Sequence, residues 1–514
     1  MVTASATLSA LALAAAIGAV ISFVFRTKVD SREPPIFHPK IPFIGHIVGM
    51  LKEGPLYLAR VSANCNAPIF TLPMLGGRTY ICKSPQIAQL VQRASSTLDF
   101  DQLIIQVTPR MVGSSKETRQ KLLDPTAKEE GRKRISELGH DVIHPPLGVH
   151  RISGIVALQL EHFTEFVNKI QDGQENALFK FATREITAAS MHTFYGPQNP
   201  FSNNPELIEA FWDWEAGIVP YMVDVLPSIF ARKAYYGLEK CVQGFSEYLE
   251  KGYIKDAYCI LRDRQRIHEE AGISVPEQAR LEVALSFGFN GNAGITSFWV
   301  LQNIFARPDL LSQIRDEIRE NALVAPDTIS FTKLRDACPL INSVYRETMR
   351  LIAPMPSARY VLEDTLLGGE YLLRKDAVVQ IGGSIIHHDA SIWGPDVEEF
   401  NPRRFLYSSS GSKTNADGSV TDKNQVHSAA FRSFGGGASL CPGRHFAQME
   451  IVSLASVMAY GFDMLPPKGQ SEVAWNPQRN EKQFPFAAIK PVREVHVKLQ
   501  RRKGMEDVKW MVKP

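Results

Sequence analysis

With 514 residues, 57 Lys+Arg against 54 Asp+Glu and a net charge of +3, the chain is too evenly charged to be built for nucleic acid, and no such partner is expected. Its 44% hydrophobic content can fill a large core, and no Gly/Ser-rich or Pro-rich linker divides the middle, so one extended body is expected rather than several. Six cysteines (Cys65, Cys82, Cys241, Cys259, Cys338, Cys441) show no CxxC or paired spacing, which argues against a zinc site or a disulfide framework and fits a reducing, cytosol-facing environment.

In chain order, residues 4–25 carry no charge and are rich in Ala, Leu, Ile and Val, a length that spans a bilayer core at helical rise. Arg26 and Lys28 follow, so the positive-inside rule predicts a single-pass anchor over 1–27 with a cytosolic body over 28–514. Pro34, Pro35, Pro39 and Pro42 form a stiff hinge between the two. Alternating or β-branched residues predict strands over 69–75, 79–82, 377–381 and 494–500. Apolar residues at three- and four-residue spacing predict helices over 155–171, 205–217, 236–263, 277–305 and 334–351. Residues 408–427, rich in Ser, Gly, Asn, Asp and Lys, read as a surface insertion.

The most specific stretch is Phe434-Gly435-Gly436-Gly437-Ala438-Ser439-Leu440-Cys441-Pro442-Gly443. Three glycines let backbone approach a flat macrocycle closely, and Cys441 then becomes an axial thiolate ligand. Such a ligand pushes electron density onto haem iron and favours O–O cleavage, so the expected chemistry is oxidative. Glu347 and Arg350 lie three residues apart in a helical pattern and share a face. Pro354 and Pro356 end that helix, and Arg359 follows on an extended strand.

The segment around Cys441 resembles the haem-binding loop of the cytochrome P450 family, Phe-x-x-Gly followed three residues later by Cys-x-Gly, with Phe434, Gly437, Cys441 and Gly443 in place. The family's Glu-x-x-Arg is matched by Glu347 and Arg350, and its Pro-x-Arg-Phe by Pro402 to Phe405. His388-Asp389 and Trp393-Gly394-Pro395-Asp396 match the stretch between them. The resemblance implies a mainly α fold, a large helical domain plus a small β-rich domain, behind an N-terminal transmembrane helix. It implies haem b bound by the Cys441 thiolate, with Phe434 in the haem loop, Arg359 at a propionate, and Glu347, Arg350 and Arg404 as a structural triad.

Three departures stand out. In the helix expected to cross the distal haem face, Phe287 to Trp299 contains no acid, and counting back from Pro308 puts Asn292 where relatives carry the Thr of an acid–Thr proton relay. Its Gly-Asn-x-Gly wording resembles the prostacyclin synthase and sterol 7α-hydroxylase branch, which contains both an isomerase and hydroxylases. Gly288, Gly291 and Gly294 cost about 1 kcal/mol each in a helix interior, so a flat group is expected to approach there. Ser439 sits where many relatives carry Arg or His for a propionate, and the family's early-helix Trp-x-x-x-Arg is absent. His140, His144, His150 and Arg151 remain available for the second propionate.

The resemblance therefore implies a monooxygenase, with Asn292 as the catalytic distal residue, that hydroxylates or otherwise oxidises a lipophilic terpenoid, sterol-like or polyketide molecule in secondary metabolism. Its electrons would come from NADPH-cytochrome P450 reductase, and it would be a monomer anchored in the endoplasmic reticulum membrane. The apolar, aromatic run over 210–223 is either the access channel or plain helix core. The missing acid motivates an alternative, a peroxide isomerase or dehydratase needing no reductase. A non-enzymatic haem sensor or carrier is a third reading.

Overall fold

The computed structural model describes residues 30–514 apart from 40, 42–43, 75–76, 125, 128, 355, 407–412, 415–419, 422–425 and 483–485. The anchor expected over 1–27 lies outside the described residues, and among those described no helix is long and apolar enough to cross a membrane. Most of the 408–427 insertion also lies outside. Its described pieces pair as a two-stranded ribbon, Lys413 opposite Thr421.

The smaller layer is a five-stranded sheet. Strands β1 (Ile69–Met74) and β2 (Gly77–Cys82) form a hairpin, followed by helix α1 (Pro85–Arg93) and the short β3 (Leu98–Asp99). Two later strands, β4 (Ser357–Val361) and β5 (Val378–Ile381), enter between them, giving the order β1-β2-β5-β4-β3. The register sets Val379 opposite both Tyr80 and Arg359. On one face Tyr80, Cys82, Val379 and Ile381 pack with Ile87, Ala88 and Val91 of α1. Ser84 caps α1 by accepting from the Ile87 amide, and Pro85 starts it.

The larger layer is helical. It comprises α2 (Ser153–Lys169), α3 (Leu178–Tyr195), α4 (Glu206–Ala216), α5 (Arg232–Glu250), α6 (Val275–Phe305), α7 (Pro308–Asn321), α8 (Pro339–Ile352) and α9 (Arg444–Gly461). The 31-residue α6 runs through the centre against α3, α5, α8 and α9, and it is buried on nearly every side beyond Asn290. A helix enclosed in this way needs no polar face.

Two predicted helices are divided. The 236–263 pattern stops at Glu250, because Gly252 takes a left-handed φ of 68°, and resumes at Cys259–Glu270. The 334–351 pattern breaks at Cys338, whose successor Pro339 disfavours helical backbone before it. In the 210–223 run, Phe211 and Trp214 are fully buried core, and the Trp214 indole donates to Met111 O at 3.1 Å. The exposed apolar residues come just after: Val223, Val225, Leu226, Ile229 and Phe230 are 57–70% exposed.

Candidate haem-thiolate site

The Cys441 loop is closed by its own backbone. The Gly435 amide donates to Arg432 O at 2.9 Å and the Cys441 amide to Phe434 O at 3.0 Å. Gly435 and Gly437 take φ of 73° and 64°, conformations that a side chain would oppose. Cys441 then sits at the entrance to α9, beside the amides of Gly443 and Arg444. Burial pushes its thiol up, while those two amides and the Arg444 charge pull the other way. The net effect is an upward shift, which the amides at this helix N-terminus lessen by favouring negative charge on the sulfur. The buried Cys241 and Cys338 lack such donors and their thiols are pushed up to about 12.

Behind the loop lies a fully buried ionic cluster. Arg350 binds Glu347 in a two-pronged pair, both bonds at 2.8 Å, and Arg404 Nε reaches the two oxygens of the same carboxylate at 2.9 and 3.1 Å. Arg404 also donates to Asp396 Oδ1 at 2.9 Å and to Trp393 O at 2.6 Å. Burying such charges is tolerable only when the remaining donors are satisfied, and here they are. Arg350 Nη1 donates to His387 O, and the His387 ring donates from Nδ1 to Arg350 O, each at 2.8 Å. The other ring nitrogen accepts from the Arg432 amide at 2.7 Å. Burial lowers the His387 pKa to about 3, so the ring is neutral and can donate on one side while accepting on the other. The Glu347, Arg350 and Arg404 cluster is thus tied through His387 to the segment that enters the Cys441 loop.

Arg359 on β4 is 4% exposed and stacks over Phe100 at 4.8 Å. It donates to Ser357 Oγ and Ala358 O at 2.9 Å each and to Ser439 Oγ of the loop. The hydroxyl at Ser439 therefore joins β4 to the cysteine loop. Arg432, two residues before Phe434, is 1% exposed and was not singled out by any sequence pattern. His387 and Gln92 were missed for the same reason, since their partners lie far along the chain.

On α6, Asn290 donates to Ser286 O at 2.8 Å, the helix-bonding role open to any Asn. The carboxamide oxygens of both Asn290 and Asn292 meet no partner among the described residues. The three glycines do not act alike. A Cβ at Gly294 would lie 3.2 Å from Thr183 Cα and from Trp212, and one at Gly291 would strike Phe287 at 2.7 Å. Only Gly288 faces open space, so helix packing rather than a flat group accounts for Gly294. Of the early candidates, His150 and Arg151 are exposed and His140 lies 3.5 Å from Asp101.

These residues fit a haem b. A lone sulfur with amide donors suits a thiolate ligand, and the buried Arg359, without a carboxylate partner among the described residues, suits an anionic macrocycle edge. The comparisons agree. The cytochrome P450 family model matches residues 292–482. A cytochrome P450 monooxygenase, nodJ of Hypoxylon pulicicidum, is 29% identical over 497 residues, covering 95% of this chain and 93% of its own. A cytochrome P450 monooxygenase of Gibberella zeae is 26% identical over 508 residues, with 96% and 93% covered. Cytochrome P450 7A1 of Sus scrofa is 22% identical over 489 residues, with 88% and 93% covered. The chain belongs to the cytochrome P450 family, the monooxygenases whose cofactor is haem b on a cysteine thiolate.

Proposed function

We propose that this monooxygenase hydroxylates or otherwise oxidises a lipophilic small molecule in secondary-metabolite biosynthesis, drawing electrons from an NADPH-cytochrome P450 reductase. The observation that carries the reading is the Cys441 sulfur, set among amides at the start of α9 and braced from behind by buried charges. Bound there, a thiolate-ligated haem supplies O–O cleavage and oxygen transfer. Cys441 would ligate its iron, Phe434 would form part of its seat, and Arg359 would hold a propionate. Glu347, Arg350 and Arg404 keep the loop rigid. Asn292, its carboxamide oxygen unpaired among the described residues, orients water on the substrate side.

The body, residues 28–514, works at the cytosolic face of the endoplasmic reticulum, held by the apolar segment 1–27. The exposed Val223, Val225, Leu226, Ile229 and Phe230 support contact with a lipid surface, and an entry route for an apolar substrate. Fungal relatives such as the monooxygenases nodJ and calL support a biosynthetic setting.

The absence of an acid between Phe287 and Trp299 favours a second reading, a peroxide isomerase of the same fold. Turnover of candidate lipophilic substrates with reductase and NADPH supports the monooxygenase. Turnover of a hydroperoxide without them, and none with NADPH, would establish the isomerase instead.

A further inference from the structure

We propose that Arg432, oriented by Gln92, is a second cation for the carboxylates of the haem and acts together with Arg359. This assignment rests on the haem seat described above. Arg432 is 1% exposed, yet no carboxylate among the described residues pairs with it, and its Nε has no acceptor. Its remaining donors meet one group, the Gln92 carboxamide, whose oxygen when turned toward the guanidinium accepts from Nη1 and lies 3.1 Å from Nη2.

Arg359 is a second buried guanidinium without a carboxylate partner among the described residues, though its donors reach Ser357, Ala358 and Ser439. The nearby Asp99 and Asp101 are engaged elsewhere, Asp99 with Arg134 at 3.2 Å and Asp101 with His140 at 3.5 Å. Burial, and for Arg432 the neighbouring charge of Arg359, bring each guanidinium down to about 10. Two like charges buried side by side are costly unless an anion lies within reach of both. A haem b has two carboxylates on one edge, equal in number and opposite in sign to the two cations.

Position agrees with charge. Arg432 and Gln92 press on the glycine loop itself. A Cβ at Gly436 would collide with the Gln92 carboxamide and lie 2.9 Å from Arg432 Nη1, and one at Gly437 would lie 2.9 Å from Gln92 Cβ. The glycines therefore admit α1 and Arg432 to the loop, beside Ser439, where Arg359 also arrives. Arg432 brings a positive charge to the loop from seven residues before Ser439.

The test compares wild-type, R432K, R432Q and Q92L holoenzymes by haem transfer to excess apomyoglobin and by the ferric/ferrous midpoint potential. Loss of a charge-assisted bond should speed haem release by about ten- to a hundredfold in R432Q. Its potential should move to more negative values, because a cation that favours the reduced haem is gone. R432K should retain most of both properties, and Q92L should move partway in the same direction. Equal behaviour of R432K and R432Q, or wild-type release and potential in R432Q, would overturn the assignment. If R432Q yields no holoenzyme, wild-type values in Q92L overturn it equally. A wild-type chain that took up no haem would instead sink the seat itself, which separates the two failures.

Discussion

Arg350 and His387 exchange hydrogen bonds in both directions, guanidinium to carbonyl and ring to carbonyl, each at 2.8 Å. The exchange makes α8 and the approach to the cysteine loop one rigid unit. The loop gains its shape from its glycines but its position from this clamp. Because Glu347 pairs with both Arg350 and Arg404 while Asp396 pairs with Arg404 alone, loss of its charge leaves the buried Arg350 without a carboxylate. Glu347→Gln should therefore destabilise the fold by about 3–5 kcal/mol. Thermal denaturation and haem content of the purified variant check this, and a stable, haem-replete Glu347→Gln protein would refute the clamp.

Acid should loosen the same region. The His387 pKa is lowered in the fold from 6.5 to about 3, so between those values the unfolded chain binds a proton that the folded chain does not. Its stabilising contribution is complete above pH 6.5 and declines as pH falls through that window, by about 1.4 kcal/mol per unit. His268, likewise lowered to about 3 by burial, adds a parallel slope. Unfolding free energies measured from pH 7 to 4 should show this decline, and it should be shallower in His387→Gln.

Glu450 behaves in the opposite sense. It is buried on α9, accepting from Gln159 Nε2 at 3.1 Å and Ser190 Oγ at 3.0 Å, with no cation paired to it among the described residues. Burial raises its pKa well above 4.5, so stability falls as pH rises above 4.5 and the unfolded carboxyl ionises first. Glu450→Gln should be close to neutral at pH 4.5 and stabilising at pH 8. Denaturant midpoints at the two pH values would show it, and destabilisation at pH 8 would reverse the inference.

Asn292 separates the two chemistries. In a monooxygenase, Asn292→Thr should preserve turnover or improve the coupling of NADPH to product. In a peroxide isomerase the amide would hold the incoming peroxide, so Thr should impair the reaction and Ala should impair it by about 10²–10³. Parallel assays with NADPH and with peroxide distinguish these outcomes, and unchanged kinetics in both would make Asn292 structural.

What the sequence made legible was local. The glycine loop, the Glu347–Arg350 spacing and the strand carrying Arg359 are patterns over a few residues, and the structure brings them together around Cys441. Arg432, Gln92 and His387 act through partners remote in the chain, so no spacing announced them. Gly294 was misread because helix packing and ligand approach ask for the same small residue, and only Thr183 and Trp212 in place reveal which applies. Helices α3 and α9 went unnoticed because they are enclosed on most sides, which erases the polar face that periodicity detects. The predicted 236–263 helix ran too long because a single glycine at 252 carries little weight in a periodic pattern.

Cys441 as the iron ligand is tested most directly by the reduced carbon monoxide spectrum of Cys441→Ser. The wild-type protein should show the long-wavelength band of a thiolate-ligated haem, and Cys441→Ser should lose it. Cys65→Ser and Cys259→Ser, at half-buried positions away from the loop, should keep it. A Cys441→Ser protein that retained the thiolate band would place the ligand on another cysteine and contradict the site described here.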